Sequence, residues 1–251
     1  MSVARFFAPA ASATGDRVTL PDDEAEHLTR VLRFAVGDRV RVFNGRGAEF
    51  ESIVEAADRS GVRLRIGAPC DPAPEPKVAD TLAQAVLKGD KMDDVVRDAV
   101  MIGVAAIQPI ITARTESSTA ALERGKRRER WSRIAVSSAK QCGRAVVPAI
   151  LDAKPFLQQA SAASAFDLGL PSPVFVLVEP RASHGRMLAD LDLAMPSQAT
   201  LVVGPEGGWT AEELTIASSV AQLVTMGGRT LRADAMALVA LAALFARWRE
   251  F

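Results

Sequence analysis

Cysteine and histidine are scarce: Cys70, Cys142, His27 and His184 are all there are in 251 residues, and no two stand at a metal-ligand spacing. A zinc cluster and a disulfide framework are both excluded by that count, so a metal-free protein from a reducing compartment is expected. Net charge is absent too, because 30 basic residues balance 30 acidic ones. No global field announces a nucleic-acid partner, and any basic surface must be local. The start, Met-Ser-Val-Ala-Arg-Phe-Phe, has no charged-then-apolar leader pattern, and no run approaches the roughly 18 apolar residues of a membrane span. The expected location is the cytoplasm, with no membrane partner. Neither G-x-G-x-x-G opening a helix nor G-x-x-x-x-G-K-S/T occurs, so a dinucleotide or nucleoside triphosphate is not indicated. There is no internal repeat, and Ser161 to Ala165 reads as a loop or a frayed end.

What is present is ample apolar content, 49% of residues, enough to bury a sizeable core. Pro72, Pro74 and Pro76 form a stiff extended break that neither a helix nor a sheet interior accepts, which places a domain boundary between 1–72 and 73–251. Before the break, Arg39 to Phe43 and Gly61 to Ile66 alternate polar with apolar, and Asn44-Gly45 and Arg46-Gly47 punctuate them as hairpin turns do. The pattern predicts a small β-barrel. One helix interrupts it, with Asp22, Asp23 and Glu24 in its first turn and Leu28, Val31 and Leu32 at helical spacing.

After the break the periods alternate. Thr81 to Leu87 and Ala106 to Ile111 read as buried strands, Asp90 to Met101 and Glu123 to Lys140 as helices, and further strands begin near Val174, Thr200 and Gln222. The expected product is an α/β domain whose mostly parallel sheet is covered by helices on both faces. Parallel sheets place ligands at the carboxyl ends of their strands, and three loops leave such ends: Val178-Glu179-Pro180, Gly204-Pro205-Glu206-Gly207-Gly208-Trp209, and Met226 to Arg232. Glycine permits close backbone approach in two of them, and Pro205 stiffens the middle one. Thr210 and Glu213 stand three apart as a capping box, anchoring that loop to a helix start.

Five ordered motifs carry a resemblance over essentially the whole chain: RFF at Arg5, KGDKMDDVV at Lys88, QCGRAVVPAI at Gln141, GPEGGW at Gly204 and GGRTLR at Gly227. The chain resembles the bacterial methyltransferases, of the knotted SPOUT class, that modify N3 of a uridine in 16S ribosomal RNA. The resemblance implies a PUA-like RNA-binding barrel followed by a SPOUT domain with a C-terminal trefoil knot, acting as a homodimer on 16S rRNA or the small ribosomal subunit. It also implies S-adenosylmethionine as cofactor, held by Val178, Glu179, Pro180, Gly204, Pro205, Glu206, Gly207, Met226, Gly227 and Leu231. At three places the chain departs from the family pattern. Ala233-Asp234-Ala235 replaces Thr-Glu-Thr, Lys140 replaces a Glu, and Met101-Ile102-Gly103 replaces Glu-Leu-Gly.

Methylation at N3 requires loss of the imide proton, and the anion left behind places charge on two carbonyl oxygens. A guanidinium keeps its charge at neutral pH and presents a fork of donors to oxygen, so Arg232 is the first candidate and Arg229 the second. Asp234 is placed to orient Arg232 or to accept the proton. Substrate-side candidates are Arg5, Arg30 and Arg33 before the break, and Lys88, Gln141 and Arg144 in the shared motifs. The run from Arg124 to Arg133 holds six basic residues against one acid, with Arg127 and Arg128 at its centre. It either tracks phosphates or forms a solvated helix face, with Trp131 turned into the core. An RNA-binding ribosome-assembly protein that keeps the fold without efficient transfer is the alternative function.

Overall fold

A computed structural model describes residues 3–118, 122, 126–157, 169–181, 185–191 and 194–250. Glu123 to Gly125, His184 and the Ser161 to Ala165 segment lie outside the described residues. The chain divides into two units, Met1–Glu75 with Val136–Val147, and Pro76–Ala135 with Pro148–Phe251.

The first unit is a mixed sheet of β1 (Arg5–Phe7), β2 (Arg17–Thr19), β3 (Arg39–Phe43), β4 (Glu49–Asp58) and β5 (Gly61–Cys70), ordered β1-β3-β4-β5-β2. Only β1 and β3 run parallel. Alternate residues of a strand face opposite sides, and here Phe6, Val18, Val42, Val54 and Leu64, one from each strand, share a single core. A sheet whose strands all bury one face in one cluster is curled around it, as the barrel pattern predicts. Each large side chain removed from water in it contributes about 1.5–3 kcal/mol. The β3–β4 turn is closed by Asn44, whose Oδ1 accepts from the amides of Arg46 and Ala48 at 2.8 and 3.1 Å. The proline-rich stretch is tied down inside this unit, with the Ala73 amide donating to the Gly143 carbonyl at 3.0 Å.

The helix of this unit differs from the expected one. Helix α1 covers only Asp22–Glu26 and continues as a π-helical turn, His27–Val31, before Arg33 takes a left-handed φ of 59°. Leu28 is fully buried, but Val31 and Leu32 are 63% and 43% exposed. The wider turn rotates them off the face that a period of 3.6 assigned them.

The second unit is an α/β layer. Its sheet contains β6 (Ala79–Ala85), β7 (Ala106–Ile111), β8 (Ala149–Ile150), β9 (Lys154–Pro155), β10 (Val174–Leu177), β11 (Arg186–Met187), β12 (Gln198–Val203) and β13 (Gln222–Thr225). The order is β11-β13-β10-β12-β6-β7-β8, with β9 also on β7, and every pairing is parallel. Strands β10 and β12 are buried on both faces, which is why they read as unbroken apolar runs. Helices α2 (Lys91–Ile102), α4 (Ala211–Ser218) and α5 (Ala233–Arg247) belong to this unit. Helix α3 (Arg127–Cys142) starts in the second unit and ends in the first. Ala217 of α4 joins a cluster with Ala83, Val176 and Val202 on one face of the sheet. Helix α2 packs on α5, and α5 reaches β12, whose Leu201 and Val203 point the other way. Helices therefore cover both faces.

Candidate active site

Strands β13, β10 and β12 are neighbours, so the loops that leave their carboxyl ends converge. They enclose a cavity of about 290 Å³. Its walls are apolar at Leu177, Val178, Val203, Leu231 and Met236 and polar at Glu179, Glu206, Thr230 and Arg232.

The GPEGGW loop is fastened at several points. Trp209 donates its indole N–H to the Leu177 carbonyl at 2.8 Å and packs against Phe156 with ring centroids 4.5 Å apart. Gly204 is required beneath it, because a Cβ there would stand 2.8 Å from the Trp209 ring. Glu206 accepts from Lys91 Nζ at 2.8 Å and from the Lys88 amide at 3.2 Å. Partial burial alone would raise its pKa, but those bonds prevail and hold it below the usual carboxylate range. Arg114 donates to the Gly207 carbonyl at 2.7 Å. At the loop's end the capping box is complete: Thr210 Oγ1 accepts from the Glu213 amide, and Glu213 accepts from the Thr210 amide. The second carboxylate oxygen of Glu213 accepts from the Ala113 amide at 2.8 Å.

Of the residues expected to hold a cofactor, Val178, Glu179, Pro180, Gly204, Pro205, Glu206 and Leu231 line this cavity. Gly207 lies in the same loop without lining it. Met226 and Gly227 line a second cavity of about 290 Å³, with Met187, Leu188, Thr225 and Arg247.

Arg232 occupies the N-cap of α5 and reaches Asp234 through two contacts of 3.3 Å. Its side chain is 72% exposed beside the cavity. Burial would raise the pKa of Asp234, yet the amide of Ala235, the Arg232 charge and its own amide together keep it below the ordinary value. A carboxylate so stabilised is an anion that orients a cation well and takes a proton poorly. Arg229 is exposed, with no ion pair among the described residues.

The substrate-side candidates fall into two groups. Arg5 is enclosed: its guanidinium donates two hydrogen bonds to the Glu49 carboxylate, and others to the carbonyls of Ala139 and Lys140 in the last turn of α3 and of Gly143 and Arg144 just beyond it. Arg144 is buried against Glu75. Both are occupied by structural partners. Arg30 is exposed and pairs with Glu26 at 2.6 Å, while Arg33 and Gln141 are exposed. Lys88 pairs with Glu116 at 2.5 Å, Arg127 donates to Ser117 at 3.3 Å, and Arg128 holds Asp152 and the Ile150 carbonyl. Trp131 is buried, as the solvated-face reading of that run has it, with its N–H on Asp93 at 3.1 Å. Lys140, where the family pattern has Glu, pairs with Glu24 at 2.7 Å.

The sequence reading gave no site role to Lys91, which holds Glu206, to the walls Trp209, Leu177, Val203 and Met236, or to Arg114. Lys91 and Trp209 stand inside the KGDKMDDVV and GPEGGW motifs, whereas the signal for Arg114 was its position just past the carboxyl end of β7.

A parallel sheet with a cavity between three loops at the carboxyl ends of its strands is the arrangement of a ligand-binding α/β domain, and an RNA methyltransferase domain profile matches residues 74–245. A profile of the PUA domain of RNA methyltransferases matches residues 20–67. The ribosomal RNA small subunit methyltransferase E of Synechocystis is 31% identical over 228 residues, 90% of this chain and 71% of that one. The protein of that name from Neisseria gonorrhoeae, solved bound to S-adenosylmethionine, superposes with a TM-score of 0.85 at 30% identity, covering 98% of each chain. A protein from Legionella pneumophila, solved with the same cofactor, gives 0.84 at 26% identity, again covering 98% of each. The chain belongs to the ribosomal RNA small subunit methyltransferase E family.

Proposed function

We propose that this protein methylates N3 of a uridine in 16S rRNA, using S-adenosylmethionine. One observation carries the reading: the cavity at the carboxyl ends of β10, β12 and β13 has Arg232 at its side. The cavity fits the cofactor in kind. Val178, Leu231 and Met236 offer apolar walls to a purine, Gly204 lets backbone approach where a Cβ could not, and Glu179 offers a carboxylate to hydroxyl or ammonium groups. When bound, the cofactor supplies an electrophilic methyl on sulfur. Everything else falls to the chain. Arg232 meets the charge that develops on the uracil oxygens as the N3 proton passes to solvent water, and Asp234 holds the guanidinium in place. Arg229 stands second in that role. The trefoil knot of the family is part of the same reading. Met226 and Gly227 contribute to cofactor binding from the far side of their loop.

For RNA, the less buried side chains are the stronger set: exposed Arg30, Arg33, Gln141, Lys88 and Arg128, with half-buried Arg127. Arg5 and Arg144 support them from within. The protein acts as a homodimer, which is supported by α5: Ala235, Leu238, Val239, Ala242 and Ala246 form one apolar stripe at helical spacing that the chain itself leaves partly or fully exposed. No helix among the described residues is long and apolar enough to cross a membrane, and we place the protein in the cytoplasm.

Mass mapping of 16S rRNA nucleotides after incubation with protein and cofactor tests the function. One added methyl on a uridine base is expected. Cofactor binding by calorimetry with no methyl added to naked rRNA or to the small subunit would move the protein to the assembly-factor reading.

A further inference from the structure

Arg114 stands three residues beyond the carboxyl end of β7, in a turn that is unusually well fixed. Thr112 and Thr115 join hydroxyl to hydroxyl at 2.9 Å, the Thr112 amide donates to Thr115 Oγ1 at 3.1 Å, and the Ala113 amide is held by buried Glu213. The side chain lies along the GPEGGW loop, so that a Cβ on Gly207 would stand 3.2 Å from Arg114 Cβ and 3.4 Å from Cδ. Among the described residues only Nη1 is bonded, and it is bonded to a carbonyl; Glu179 comes near without pairing, its Oε1 at 3.1 Å and Arg114 Nη1 at 3.9 Å from the place a Cβ on Gly208 would take. The neighbouring cations are neutralised: Lys88 by Glu116, Lys91 by Glu206, Arg232 by Asp234. Among the described residues Arg114 has no carboxylate partner, and it is exposed beside Gly208 on the cavity rim.

We propose that Arg114 binds a phosphate of the substrate RNA with its remaining donors while Nη1 keeps hold of Gly207, so that RNA binding steadies the cofactor loop. This rests on the methyltransferase reading. A guanidinium serves here because its planar fork donates in two directions at once, and linkage makes the coupling reciprocal. Arg114 is thus both an RNA contact and a positioning residue for the loop.

Full-length wild type, Arg114→Ala and Arg114→Lys are compared in binding to transcribed 16S rRNA across a salt series, in methyl-transfer kinetics, and in cofactor calorimetry with and without RNA. The alanine variant is expected to raise KM for RNA about 10-fold and to lower the salt slope by about 1. It also abolishes any gain in cofactor affinity that RNA gives the wild type. Lysine restores the slope and leaves the coupling lost. An unchanged slope and KM in the alanine variant overturn the proposal, and so does weaker cofactor binding with an unchanged slope, which makes Arg114 a tie within the loop or a cofactor contact. If wild type itself transfers no methyl, the methyltransferase reading fails, while the salt slope still decides whether Arg114 meets phosphate.

Discussion

Asp80 offers a test of the fold's energetics away from the chemistry. Its side chain, in β6, is fully buried and neither carboxylate oxygen has a hydrogen-bond partner among the described residues. Burial pushes its pKa from 3.8 up to about 7, against a smaller downward pull from the Thr81 amide. The folded state thus holds this proton more tightly than the unfolded chain does. Its contribution to stability is fully present below about pH 3.8, falls as pH rises, and is lost above about pH 7. That rise corresponds to about 4 kcal/mol in all, of which about 3 kcal/mol is lost between about pH 5 and pH 8. Asp80→Asn keeps the shape and removes the ionisation. Its unpaired amide adds a constant offset, so the slope with pH is the diagnostic quantity. Urea unfolding at about pH 5, 6, 7 and 8 should show wild type losing stability relative to the variant by roughly 3 kcal/mol. Parallel curves for the two proteins would refute the assignment of a neutral, buried Asp80.

Arg232→Ala should lower single-turnover methyl transfer about 100-fold or more with little change in cofactor affinity, since the guanidinium acts on charge that develops during reaction. Asp234→Asn should cost roughly 10- to 1000-fold, and Asp234→Glu should retain or improve the rate; full activity in both Arg232→Ala and Asp234→Asn would move the search to Arg229 and Glu206. Arg5→Ala should destabilise the first unit by about 3–5 kcal/mol in urea unfolding, because it strands buried Glu49 and the carbonyls that end α3. Replacing Arg127 and Arg128 with Gln should lower the salt slope of rRNA binding by about 1 for each phosphate lost, leaving cofactor affinity unchanged.

The strands of the second unit were legible because burial on both faces demands apolar runs, and Val174–Leu177 and Gln198–Val203 leave little room for another reading. The loops followed from the strands, since glycine and proline mark where they end. What stayed illegible was pairing over long separations. Arg5 looked like a surface cation because nothing near it in sequence announces Glu49 or the end of α3. Arg114 looked anonymous because its value depends on Gly207, 93 residues away. The π-helical turn at His27–Val31 defeated periodicity for a local reason: two apolar residues matched a helical face that the backbone then turned to solvent.

Glu213 shows where the line between local and distant falls. The residue spacing Thr210-x-x-Glu213 specifies a capping box, and one carboxylate oxygen forms it as the sequence requires. The same group has a second oxygen, which the box does not consume, and a fully buried acceptor left unpaired would cost about 1–3 kcal/mol. That oxygen is satisfied by the Ala113 amide, 100 residues distant, in the turn that carries Arg114. A motif that is complete as a helix cap thereby joins the GPEGGW loop to the loop after β7. The requirement for a second donor can be stated from the sequence once burial is granted, but the donor's identity waits on the fold. The cap therefore fixes the end of the GPEGGW loop and, through its second carboxylate oxygen, the turn that carries the cation proposed to meet the RNA.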